Sequence, residues 1–253
     1  MKTQSSRRCG FSLIEMMVTV AIFTVVMAAV FGLLITIQQR YQTETARVDT
    51  FQGARQALDL MVRDIHIAGY PPATSFTAAA IAANPQRVAL PFAWDPNYPA
   101  TPCTVNVNCS AAGGPSAFDL IVETDIDPLA NNGVEWVRYR LNGTTLERGI
   151  ATKAAGANPV NTTLPAMVPY VENVMNNTTV AEMTTLRGFY PTMFPGNAPV
   201  PIFTYQFDAG GVNTPLKLRA VNITLIVRSV NADPKTRQPI VVTLTGYARR
   251  VNP

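Results

Sequence analysis

The pattern of apolar and polar positions divides the chain into two unlike parts. From Met16 to Ile37 no charged residue occurs, and those twenty-two residues would span about 33 Å as a helix. That is close to the thickness of a bilayer's hydrocarbon core. Beyond Gln38 the pattern becomes amphipathic: Tyr41, Val48, Phe51, Leu58, Met61 and Ile65 recur at steps of three, four and seven. Between them stand Arg47, Asp49, Arg55, Asp59, Arg63 and Asp64, with Asp59 and Arg63 at a favourable i,i+4 spacing. All twenty prolines lie at position 71 or later, so nothing interrupts a helix from Phe11 to about Ala68. Gly69, followed by Pro71-Pro72, is a stop signal. The expected helix is roughly 85 Å long, its second half carrying a head on the apolar stripe.

After the helix the period changes. Residues 70–116 are rich in Pro, Ala and Asn, with short apolar pieces such as Val88-Ala89-Leu90, and read as a long irregular connection with a short strand or two. Val137, Tyr139 and Leu141 then alternate with Arg138 and Arg140, and Asn142-Gly143 predicts a tight hairpin into Thr144–Arg148. Phe203, Tyr205 and Phe207 share one face of a predicted strand. Val221, Ile223, Leu225 and Val227 alternate with Asn222, Thr224 and Arg228, and a turn at Asp233-Pro234 leads into Ile240–Arg249. Four or five strands without intervening helices predict an α+β fold, a long helix packed on an antiparallel sheet.

Charge adds little to this picture except at the start. The formal net charge is +4, but Lys2, Arg7 and Arg8 precede residue 11. From Phe11 onward seventeen Lys and Arg face sixteen Asp and Glu, and no basic run tracks a phosphate backbone, so nucleic acid is not an expected partner. A basic flank before an apolar segment predicts a cytoplasmic N-terminus and an exported remainder. Of three cysteines, Cys9 lies in the basic stretch. Cys103 and Cys109 are the remaining pair; bridged, they suit an oxidising compartment and would contribute about 2–3 kcal/mol. The alternative is two free thiols in a loop.

Glu15 is the odd residue, a carboxylate at the start of the apolar segment where burial in lipid costs roughly 2–3 kcal/mol or more. A secretory signal peptide does not fit, because its apolar region is shorter and its cleavage site follows that region. A plain single-pass anchor leaves Glu15 without a partner. Cleavage after Gly10 would supply one, the new amine of Phe11 on this or a neighbouring subunit. Arg7-Arg8-Cys9-Gly10 followed by Phe11-Ser12-Leu13-Ile14-Glu15 resembles the class III leader junction of type IV prepilins and type II secretion pseudopilins. The resemblance implies a membrane peptidase that cuts between Gly10 and Phe11 and methylates Phe11, with Glu15 as the assembly glutamate. It implies a leader at 1–10, a transmembrane and assembly segment at 11–37, an amphipathic continuation at 38–69 and a periplasmic head at 70–253. The protein would sit in the inner membrane and then in a pilus or pseudopilus at the cell surface, its partners being other pilin or pseudopilin subunits.

In the head, Arg63–Tyr70, Val134–Leu141 and Ala220–Ser229 resemble the PilW family of minor pilins, and the J-type minor pseudopilins share much of this layout. The resemblance implies a structural subunit that helps initiate or cap a filament. The alternative of another class is a membrane-tethered periplasmic binding protein or adhesin. Chemistry-bearing motifs are sparse. His66 is the only histidine, and no nucleophile elbow, phosphate loop or dinucleotide fingerprint occurs, so neither an enzyme nor a cofactor is expected. Asp119, Glu123, Asp125 and Asp127 form an acidic cluster, read as a solvated loop rather than a calcium site because the Gly-bearing ligand spacing is missing. Trp136 shares a strand face with Arg138 and Arg140, which suggests a cation–π pair within the sheet.

Overall fold

The computed structural model describes residues 12–89, 91–93, 116–129, 133–153, 166–176, 180–194, 196, 198–209, 217–233 and 236–251. Helix α1 runs from Leu13 to His66 without a break, about 81 Å at 1.5 Å per residue. It ends where the sequence predicts, with Gly69 at φ +80°, its amide donating to the Glu123 carbonyl at 2.8 Å.

Among the described residues eight strands follow, in two antiparallel sheets rather than one. The first holds β1 (Phe92–Ala93), β2 (Asp119–Thr124), β3 (Glu135–Asn142), β4 (Thr145–Thr152) and β5 (Met167–Val171), in chain order. The second holds β6 (Phe203–Phe207), β7 (Leu218–Ala232) and β8 (Pro239–Arg249). Gly143, at φ +60°, turns the β3–β4 hairpin as Asn142-Gly143 predicts. The described part of the connection after α1, residues 70–89 and 91–93, is more ordered than its composition suggests. It contains α2 (Ala78–Ala83) and two 3-10 turns, and it buries Val88, Ala89 and Phe92. Helix α3 (Val180–Phe189) corrects the expectation of strands without an intervening helix; Leu186 packs beside Phe194, Ile226 and Val241 on the second sheet.

Both sheets and the end of α1 share one core. Ala54, Leu58, Met61 and Ile65 meet Val221, Ile223, Leu225 and Val227 from β7 and Val122, Val137 and Tyr139 from the first sheet. Each large aliphatic side chain buried there stabilises by about 1.5–3 kcal/mol. The predicted stripe is corrected at its lower half. Tyr41, Val48 and Phe51 stay exposed, because burial of the helix against the head starts only at Ala54. Asp64, one of the charged residues between the apolar positions, is buried.

Candidate assembly and membrane-anchoring surface

The first turn of α1 is built around Ser12 and Glu15. Ser12 is extended, at φ −74° and ψ 145°, and its amide donates to the Glu15 carboxylate at 3.0 Å. A helix leaves its first amides without internal partners, and a carboxylate three residues after the N-cap satisfies one and favours the positive end of the helix dipole. The Ser-x-x-Glu spacing announces this capping arrangement in the sequence, but a search for Glu15's partner that begins at the Phe11 amine overlooks it. Gly10 and Phe11 lie outside the described residues, as do Cys103 and Cys109.

From Leu13 to Ile37 every large apolar side chain except the partly covered Met27 is exposed. The most apolar stretch has a mean hydropathy of 2.7, and none of it is covered by the head. Thr19, Thr24 and Thr36 turn their hydroxyls back onto carbonyls of their own helix at 2.8–2.9 Å, so they present little unpaired polarity to an apolar medium. An uninterrupted apolar cylinder of this length is stable only when something covers it, either lipid or the helices of other subunits.

The residues considered for head-domain chemistry are occupied by structure. Asp119 is held by both forks of the Arg138 guanidinium, with Nε at 2.9 Å from Oδ1. Glu123 is buried; it accepts from Trp136 Nε1 at 2.9 Å and pairs with Lys153 Nζ at 2.8 Å, while Lys153 also donates to the Val88 carbonyl. The acidic cluster is therefore not one solvated loop, since two of its four members face partners across the sheet. The other two sit near buried Glu135, whose carboxylate accepts from the Ile126 amide at 2.9 Å. Burial, then the charge of Asp127, pushes Asp125 above the usual carboxylate range, and burial chiefly does the same for Glu135. Among the described residues no group of three or more His, Cys, Asp and Glu is arranged to hold a metal.

Trp136 is fully buried and committed to Glu123. The cation over a ring is instead Arg148, 5.7 Å from the centre of Tyr139 on the opposite face of the sheet. That face carries a network the sequence reading missed. The Tyr139 hydroxyl donates to Asp64 Oδ2 at 2.6 Å, and Arg148 donates to the same oxygen at 2.9 Å and to the Tyr139 oxygen at 3.0 Å. Burial and the neighbouring Asp64 charge push the Tyr139 hydroxyl well above its ordinary pKa. His66 is exposed at the helix end.

Residues 5–31 match the family model of the prokaryotic N-terminal methylation motif. No curated protein and no solved structure matches the chain. The matched stretch covers the leader junction, Glu15 and most of the apolar segment. The chain thus carries a prokaryotic N-terminal methylation motif at the start of a helix long and apolar enough to cross a membrane.

Proposed function

We propose that this chain is a minor pilin of a type IV pilus system, a structural subunit that helps initiate or cap filament assembly. One observation carries the reading: the helix that follows the methylation motif is left bare by its own head throughout its apolar length. Such a helix can be held in the bilayer before assembly and against the helices of neighbouring subunits after it. The head, over 180 residues from Tyr70, is large for a subunit repeated along a shaft, which favours a place at the end of the filament. Asp119 and Glu123, two of its candidate polar residues, are held in internal ion pairs with Arg138 and Lys153, which supports a structural role. In this reading the prepilin peptidase cuts between Gly10 and Phe11, Cys103 and Cys109 are bridged after export, and the head stands in the periplasm.

Glu15 provides the test. In the proposed assembly its carboxylate meets the Phe11 amine of an adjacent subunit, an attraction strengthened by apolar surroundings. Glu15→Val removes both charge and cap; Glu15→Gln keeps an acceptor for the Ser12 amide and removes only the charge. Both variants should reach wild-type membrane levels and begin at Phe11 by intact mass. Both should lose most crosslinking to other pilin subunits and most incorporation into filaments. Wild-type crosslinking by Glu15→Gln would show that the charge is dispensable. Loss of protein secretion with pili intact would move the subunit to a secretion system.

A further inference from the structure

The β7–β8 hairpin reaches down the helix below the core, with Ala232, Asp233 and Ile240 beside residues 36–49. Strand β8 runs beside α1 in the same direction: Gly246 lies against Leu58 and Val62, and the Val251 amide donates to the His66 carbonyl. From Gly246 back to Arg237 the strand and turn cover about 30 Å at 3.3 Å per residue. The same distance along the helix is about 20 residues, which brings the tip level with Gln38–Gln42. The side chains agree. Ala232, Asp233 and Ile240 border one cleft with Tyr41, Thr45 and Asp49, and Asp233 borders a second with Thr36, Gln39 and Arg40. The tip therefore ends where the apolar segment ends, one residue beyond Ile37.

The tip is also tightly made. The Arg237 amide donates to the Asp233 carbonyl at 2.7 Å, and the Asp233 amide donates to the Gln238 carbonyl at 2.9 Å. Among its described residues Val230, 81% exposed, and Ala232, Thr236 and Arg237 are open to solvent. Arg40 is exposed on the helix at the same level.

We infer that the β7–β8 tip rests on the lipid headgroups of the leaflet facing the head and braces the head against the bilayer surface. This rests on the reading that Met16–Ile37 spans the membrane. Given that span, the geometry leaves the tip no other height: a helix near the bilayer normal places residues 38–42 among the headgroups, and the hairpin arrives there beside them. The exposed valine suits the shallow interface, and the guanidinium groups of Arg237 and Arg40 suit lipid phosphates. The bound surface is lipid rather than a second protein, because it is continuous with the span itself.

The test uses the full chain in phosphatidylethanolamine–phosphatidylglycerol vesicles. Val230→Cys and Thr236→Cys carry an environment-sensitive fluorophore, and wild-type protein labelled in parallel supplies the background of the native cysteines. Leu129→Cys is the reference; it is exposed in the loop after Asp125, whose amide bonds to Tyr70, at the far end of the helix. Ala29→Cys, read with a nitroxide on the lipid acyl chain, reports the span. With a nitroxide on the lipid headgroup, labels at 230 and 236 should be quenched several-fold more than the label at 129. Equal quenching at all three, with Ala29→Cys quenched from the acyl chain, overturns the hairpin contact and leaves the anchor standing. Failure at Ala29→Cys instead removes the membrane reading beneath it. Labels at 230 and 236 that ignore lipid but become shielded when other pilin subunits are added would make the tip a protein interface and overturn the inference.

Discussion

Asp64 receives hydrogen bonds from Tyr139 and Arg148 on a single oxygen, and it is the one carboxylate that α1 places inside the core. Removing it leaves Arg148, itself largely covered, without its closest anion. Asp64→Ala should therefore destabilise by about 2–3 kcal/mol, below the usual figure for a fully buried pair because Arg148 retains some access to water. Asp64→Asn, which keeps an acceptor, should lose less. Chemical denaturation of the two variants checks the order; equal losses would mean that only the shape of the side chain matters. Asp125 argues the opposite sign. One of its oxygens is buried with no hydrogen-bond partner among the described residues, and its pKa is raised. A carboxyl that binds its proton more tightly when folded loses stability as pH rises through the window between its unfolded and folded pKa values. Asp125→Asn should accordingly raise the melting temperature at neutral pH and flatten the gain that the wild type shows on acidification toward pH ~5. A lower melting temperature at neutral pH would count against this account. Neither role is legible in sequence. A helical wheel sets Asp64 beside Ala57 and Met61 at the edge of the apolar face, but only the sheet on the other side supplies Tyr139 and Arg148 as its partners.

The helix meets strand β8 closely at Gly246. A Cβ there would lie 2.8 Å from Leu58 Cδ1 and 3.2 Å from Val62 Cγ2. Gly246→Ala should cost about 1–3 kcal/mol, since a packed core yields to extra volume only by shifting rotamers or backbone. In a Leu58→Ala background that cost should shrink, and a double-mutant cycle in urea measures the coupling. Additive effects would place the strain elsewhere. Elements whose one face is buried were the ones that sequence could name. β3 alternates Val137, Tyr139 and Leu141 into the core, and β7 alternates Val221 through Val227, because a pleated strand repeats every two residues. Helix α3 gives no such signal. It is ten residues long, and its docking depends on Leu186 finding Ile226 and Val241, partners forty and more positions away. The division into two sheets was hidden for the same reason, since strand pairing between distant segments leaves no local period.

For the molecule as a whole, the buried length and the bare apolar length of α1 are separate. Core burial starts at Ala54, while the apolar segment ends at Ile37. A chain beginning at Gln38 should therefore unfold cooperatively in aqueous buffer at nearly the full-length protein's melting temperature. One beginning at Met61 should not fold, having lost Ala54, Ala57 and Leu58 from the core. Calorimetry of the two decides it; a molten Gln38 form would mean that the span supports the head. What the sequence determined alone is everything that depends on order along the chain. That includes the leader junction, the membrane length of the apolar run, the uninterrupted helix and the hairpin at Asn142-Gly143, each set by local sterics or by transfer of neighbouring side chains from water. What only the tertiary structure decided is which polar residues are buried and with whom: Asp64 with Arg148, Glu123 with Lys153 and Trp136, and the hairpin tip beside residues 36–49. A buried charge is stabilised by the partner opposite it, and the partners of Asp64 and Glu123 lie 13 to 84 residues away in sequence.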